Sequence, residues 1–290
     1  MSGLSERQLA LAKRWIKRQF PTLVTGVLFI VLWEVIARVI GNNRIVADIG
    51  YTVSSLQAQA DTIVVRVSET FSSVIVAFIL AVVLGVLLGM VVAEIYTLRQ
   101  MTMPLIIFAY AVPHPVLAPM FIIWFLVGGS FTLFTFTGPS AYIFPAMTAA
   151  DAQIAIGING VSTFGAWVGF FPVFISTITG MNELEERYQH LGTVLGATRW
   201  QMVKYFRFWR ALPNIASSIK STVQLSIVGV IVAEFIASSS GIGYQIILAW
   251  KTGDLGYMFG VVLVIMLVSY TFFQLAVWTV KYVTPPGSTT

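Results

Sequence analysis

The sequence predicts an all-α polytopic membrane protein. Three observations carry that reading. Of 290 residues, 57% are hydrophobic and 10% are charged, whereas soluble domains carry about 25% charged residues. Mean hydropathy is +0.86. The apolar residues gather into runs of about 20, the length a helix needs to cross the hydrocarbon core of a bilayer.

Six runs follow one another. Pro21 to Ile40 is the first and Ser68 to Ala93 the second. The third, Met103 to Val127, is broken by Pro113, Pro115 and Pro119. The fourth covers about Val161 to Met181, the fifth runs from near Ile215 to near Ser238, and the sixth is Gly256 to Lys281. In the second, Gly85 and Gly89 form a small-xxx-small pair that lets another helix approach closely. Packing within the subunit is the favoured use of that pair, and a seam between subunits is the alternative. Glu34 and Arg38 stand one turn apart, at the spacing of a local ion pair.

Charge placement orients the spans. With the N-terminus inside, the inside segments hold 13 of the 17 basic residues, Lys220 among them; Arg38, Arg44, Arg66 and Lys251 fall outside. That bias follows the positive-inside rule. Residues 1–20 then form a basic cytoplasmic segment, 21–284 the transmembrane domain and 285–290 a cytoplasmic tail. No small-residue cleavage site follows the first run, so a cleaved signal peptide is not expected.

Composition narrows the chemistry. There is no cysteine, so thiol and cysteine–metal chemistry is out of reach. His114 and His190 are the two imidazoles, too few for an expected metal site. No P-loop pattern occurs, so the chain cannot cradle ATP phosphates that way. The net charge of +5 is accounted for by orientation in the membrane, and no nucleic-acid partner is expected. Gly138-Pro-Ser140-Ala141 has the outline of an intramembrane serine-protease site, but a serine nucleophile needs a base within reach, and neither histidine is placed to serve.

The cytoplasmic segment between the fourth and fifth spans, residues 183–213, is basic and aromatic. Acidic Glu183, Glu185 and Glu186 open it; Arg199, Lys204, Arg207 and Arg210 follow. Gly192 and Gly196 interrupt it, which predicts two short helices with a bend. Trp, Phe and Arg together suit a protein interface and equally a helix lying in the lipid headgroups.

The segment resembles the cytoplasmic "EAA" loop of permease subunits of type I ABC importers. The matching positions are Gly196, Ala197, Arg199, Trp200 and Gln201, with Leu212-Pro213 after them. His190-Leu191-Gly192 stand at the Glu-Ala-Ala triplet, and Phe208-Trp209 at the first Leu-Pro. "LWEVIAR" (32–38), "VLAPMFIIWF" (116–125), "FFPVFISTITGM" (170–181) and "VAEFI" with "GIGY" (232–244) are similar, in order, to the branch that imports nitrate, sulfonates, taurine, bicarbonate and vitamin precursors.

The resemblance implies a permease fold of about six transmembrane helices working as half of a homo- or heterodimer. It implies two ABC ATPase subunits that bind ATP and Mg, so this chain itself needs no cofactor, and an extracytoplasmic solute-binding protein. The docking surface for the ATPase would be Glu186, Arg187, His190, Leu191, Gly192 and Leu195, continuing through Gly196, Ala197, Thr198, Arg199 and Trp200. Leu191, Leu195 and Ala197 would enter an apolar groove, with His190 and Arg199 at its rim. His114 and Glu234 are the pathway candidates.

Relative to the family, residues 130–157 are an insert. A further full span there would invert the basic loop, so the insert is expected to begin and end outside, as a re-entrant hairpin, an interfacial helix or a lid, with a helical element on the outer face, against lipid or the partner permease, preferred. A small anion of the sulfonate or nitrate type is the favoured solute, and an aromatic or pyrimidine-type vitamin precursor the alternative. An ion-coupled secondary transporter or a channel is the rival of another class; it would need intramembrane charges, and Glu234 is the clear candidate, although a Glu bonded to neighbouring backbone or Ser near the outer mouth is the favoured reading of that residue.

Overall fold

A computed structural model describes residues 21, 24–128, 131–137, 153–183, 190–192 and 194–283. Among these, four helices are long and apolar enough to cross a membrane, or five if a bent pair counts as one span. The elements are α1 (residues 24–40), α2 (Ile49–Ala58), α3 (Ala60–Glu94), α4 (Tyr96–Ala111) and α5 (His114–Gly128). Strands β1 (Phe131–Thr137) and β2 (Gln153–Ile158) precede α6 (Gly160–Asn182). Then come α7 (Arg199–Met202), a π-helical turn (Val203–Arg207), α8 (Phe208–Ala237), α9 (Ile242–Thr252) and α10 (Leu255–Val283).

The chain divides into two compact units. One holds the described residues up to Ala58 together with Ala249–Gly260. In it Glu34 accepts from Arg38 at 2.7 Å, the expected ion pair, and also from the Ile49 amide at 3.1 Å. Asp48 caps α2 by accepting from the Tyr51 amide at 2.7 Å. That bond, with help from Asn43, holds its carboxyl below the usual range. Asp254 caps α10 through the Tyr257 amide and accepts the Tyr51 and Ser55 hydroxyls.

The second unit, Gln59–Leu248 and the chain from Val261, is built on α6. Gly85 of α3 lies against Val173 and Phe174, and Gly89 against Thr177. The small-xxx-small pair therefore packs inside the subunit, its favoured use. On the side facing α8, Gly169 meets Thr222 and Ser226, while Gly180 meets Ala211 and Asn214, so α6 and α8 run antiparallel. Lipid is as apolar as leucine, so close van der Waals packing of small residues, rather than hydrophobic burial, holds such seams. At one end, Phe171, Phe174, Ile178 and Met181 join Val92, Val203 and Ile215 in one buried cluster.

The third span is broken at its prolines as expected, into α4 and α5 bent by 99°; three other expectations are corrected. Pro113 and Pro115 lack N–H donors, and proline disfavours helix in the residue before it; Val112 is accordingly extended, at φ −68° and ψ 130°. The insert is no helix where it is described. Its ends form an antiparallel hairpin pairing Phe131 with Ile158 and Thr137 with Gln153. "FTLFTFT" is rich in the aromatic and β-branched residues that favour strands; residues 138–152, Ser140 included, lie outside the described residues. The basic stretch after Gly196 is not a separate short helix. Helical backbone runs without a gap from Arg199 to Ala237, through Pro213. Lys220, grouped with the inside cations, sits within that run, between the α8 residues that meet Gly180 and those that meet Gly169.

Candidate functional site

The loop before α7 is shaped by two local devices. Residues 190–192 form a helical turn. Gly196 ends it at φ +68°, with the Leu195 amide donating to the Leu191 carbonyl at 3.0 Å and the Ala197 amide to the Gly192 carbonyl at 2.9 Å. A left-handed residue at a helix end favours glycine because a Cβ would crowd the backbone. Thr198 then starts the next helix with a capping box: its hydroxyl accepts from the Gln201 amide, and its own amide donates to the Gln201 side chain at 2.8 Å. Such a cap is worth about 1 kcal/mol.

Beneath the loop, Gly192 is buried against Met202. Above it, Val194 is 84%, Leu195 69% and Trp200 72% exposed, and Leu191 is also exposed. His190 and Arg199 are exposed beside them. The structure thus brings together His190, Leu191, Gly192, Leu195, Gly196, Ala197, Thr198, Arg199 and Trp200. Glu186 and Arg187 lie outside the described residues. Val194 was missed by sequence reasoning. Its signal was its place in the same short apolar run as Leu191 and Leu195.

The loop is tied to the core by the turn that follows. The π turn holds one more residue than an α turn, a distortion frequent at functional sites. Val203 is buried there, Lys204 and Tyr205 face out, and Arg207 donates to Glu94 at the end of α3 at 2.8 Å.

The two pathway candidates belong to different settings. His114 opens α5 at the helix break; its ring packs edge-on to Tyr110 at 5.5 Å, and its buried Nε2 has no hydrogen-bond partner. Glu234 is 2% exposed. It accepts from the Thr70 hydroxyl at 2.8 and 2.9 Å and from the Gly243 amide at 2.9 Å. Thr70 in turn accepts from the Ile242 amide at 2.8 Å, and Glu69 accepts from the Gly241 amide at 3.0 Å and from Arg66. Three side chains therefore satisfy the free amides at and just before the start of α9. Glu69 and Thr70 carried no sequence signal that linked them to residues about 172 positions away.

Among the described residues, no three His, Asp or Glu side chains converge to hold a metal ion.

Comparison with known proteins agrees with this architecture. The formylaminopyrimidine transport permease protein ThiX of Halalkalibacterium halodurans is 23% identical over 79% of this chain and 82% of its own. The riboflavin transport system permease protein RibX of Chloroflexus aurantiacus is 23% identical over 63% of this chain and 58% of its own, so the match spans little more than half of that relative. The putative aliphatic sulfonates transport permease protein SsuC of Bacillus subtilis is 27% identical over 54% of this chain and 46% of its own. An inward-facing structure of the MetNI methionine ABC transporter shares the fold, with a TM-score of 0.53 at 18% identity over 77% of this chain and 97% of that one. Residues 81–285 match the family described as the binding-protein-dependent transport system inner membrane component. The chain belongs to that family and has the permease fold of type I ABC importers.

Proposed function

We propose that this permease forms half of a solute pathway together with a second permease subunit, and that its 190–200 loop docks two such halves onto a pair of cytoplasmic ATPase subunits. ATP and Mg are bound by those subunits, and a binding protein delivers solute from the opposite face. The N- and C-termini lie on the loop's side. The relatives' names divide between anions and heteroaromatic compounds, so they leave the solute open.

The observation that carries the reading is the loop itself. It holds exposed Leu191, Val194, Leu195 and Trp200 on a backbone fixed by Gly196 and the Thr198 cap. A soluble surface does not gather such residues without a partner. The ion pair from Arg207 to Glu94 supplies a route from that surface into the core.

Leu195→Glu tests it. The side chain is exposed in the subunit, so folding should be nearly unaffected. In an apolar groove the charge would be buried unpaired, at a cost of several kcal/mol. The expected result is normal membrane insertion with the ATPase subunit lost on purification, or with hydrolysis uncoupled from uptake. A full ATPase complement with normal uptake would instead make this stretch an interfacial helix.

A further inference from the structure

We propose that the exposed stripe Ser217–Lys220–Ser221–Gln224 on α8 lines the solute pathway, and that Lys220 gives an anionic solute its cationic contact. The inference rests on the permease reading above.

The stripe is set by helical spacing. All four residues are exposed on one face of α8, which Val228 continues one turn on, while Thr222 and Ser226 face α6. Its depth follows from that packing. Ala211 meets Gly180 near one end of α6, and Thr222 and Ser226 meet Gly169. Lys220 lies between these levels, close to the middle of a 23-residue helix. α6 is about 34 Å long at 1.5 Å per residue, enough to cross the hydrocarbon core. Lys220 is also about 14 Å along α8 from Ala211 at that rise, farther than a lysine side chain can snorkel.

α3 shows what a lipid-facing surface looks like on the same unit. Gly85 and Gly89 meet α6 at Val173 to Thr177, and the exposed residues around them are Val83, Leu84, Leu87, Leu88 and Val91. No polar side chain interrupts that surface. The α8 stripe carries a cation, an amide and two hydroxyls instead. A charged side chain at mid-bilayer is costly, and such residues face bundle interiors or water-filled cavities. Here the stripe is uncovered among the described residues, so its cover lies beyond them.

Water in a pathway is favoured over a dry seam with the second permease by the state of Lys220. Among the described residues it has no ion-pair partner, unlike Arg38, Arg66 and Arg207. An unpaired cation in a dry interface is strongly unfavourable. In an aqueous pathway it stays hydrated and raises the local concentration of anions. Gln224 and Ser221 add hydrogen-bond groups suited to the oxygens of a sulfonate, carboxylate or nitrate group.

The chain has no cysteine, which makes the test direct. Ser221→Cys and Gln224→Cys are placed on the stripe, with Leu84→Cys and Leu87→Cys on α3 as the lipid-facing set. Each is assembled with partner subunits freed of reactive cysteine and treated in membrane vesicles with sulfonatoethyl or trimethylammonioethyl methanethiosulfonate. The stripe thiols should react with both reagents and the α3 thiols with neither. The sulfonate reagent should be favoured severalfold, and Lys220→Met should remove that preference without closing access. Unreactive stripe thiols would place the stripe in a dry subunit seam and overturn the proposal. Reactivity with no anion preference, or a preference that survives Lys220→Met, would overturn the role of Lys220. Failure of the docking reading would show separately, as ATPase subunits missing from the assembled complex.

Discussion

Two carboxylates tie α3 to the chain at opposite ends of α8, Glu94 to the π turn before it and Glu234 from its far end to Thr70 and Gly243, and they are held in opposite ways. Near the proposed docking loop, Glu94 is 26% exposed and pairs with an Arg207 that is 24% exposed. Toward the other end, Glu234 is 2% exposed and bonded to Thr70 and to the backbone of α9. The first contact is one ion pair between partly exposed side chains, one of them in the π turn. The second is a closed set of bonds in which side-chain oxygens cap helix amides. If the proposed permease moves by rigid-body rocking, the second suits a fixed end and the first a joint. The sharpest experiments are those that damage one end and leave the other unchanged.

The largest effect is expected at Gly241. Its φ is +90°, and a Cβ there would fall onto the Glu234 carboxylate. Gly241→Val combines backbone strain with the loss of that network, and should cost about 3 kcal/mol or more. Gly253 is the control: its φ is +76°, and nothing lies within 4 Å of a Cβ built there. Gly253→Val should show strain alone, about 1 kcal/mol. Thermal unfolding in detergent measures both. Equal losses would show that the Glu234 network contributes nothing special.

A smaller effect is expected at Glu234 itself. In Glu234→Gln one acceptor oxygen remains, and the Thr70 hydroxyl can turn to accept from the new amide. The cost should be about 1–2 kcal/mol, with most uptake retained. Glu234→Leu leaves the Gly243 amide buried without a partner and should cost more than Gln. If Glu234→Gln abolishes uptake while stability and assembly hold, Glu234 contacts solute or gates the pathway and is no brace.

The contrast also marks what the sequence could reveal. The spans were legible because runs of about 20 apolar residues have few other uses; α6 and α10 lie within a residue or two of their expected bounds. The helix end in the proposed docking loop was legible through Gly196, because a glycine between helical stretches marks a helix end. The hairpin was not, because an apolar run of unclear period reads equally as strand or helix, and Pro139 and Pro145 drew attention to its middle. The continuous helix from Arg199 was hidden by Pro213, which reads as a helix breaker in water but is tolerated in membrane helices. The cap on α9 was invisible: Glu69 and Thr70 look like ordinary polar residues early in a span, and only folding brings them to Gly241 and Ile242.

The smallest change in stability is expected at the loop end, where it carries the most information. Glu94→Gln removes a partly exposed ion pair, and pairs of that kind contribute about 1 kcal/mol or less. The unfolding temperature should barely move. Arg207, however, sits in the turn that follows the proposed docking surface, with its Nε already lacking a partner. Without Glu94 that turn loses its ion pair with α3, and motion of the loop should reach the core less fully. The readout is therefore the ratio of solute taken up to ATP hydrolysed, which should fall in Glu94→Gln and in Arg207→Gln. Reversing both charges together, Glu94→Arg with Arg207→Glu, should recover part of the ratio, since coupled residues are non-additive. A ratio unchanged in both single variants would leave Glu94–Arg207 a surface pair like Glu34–Arg38 and remove the joint from this end of the molecule.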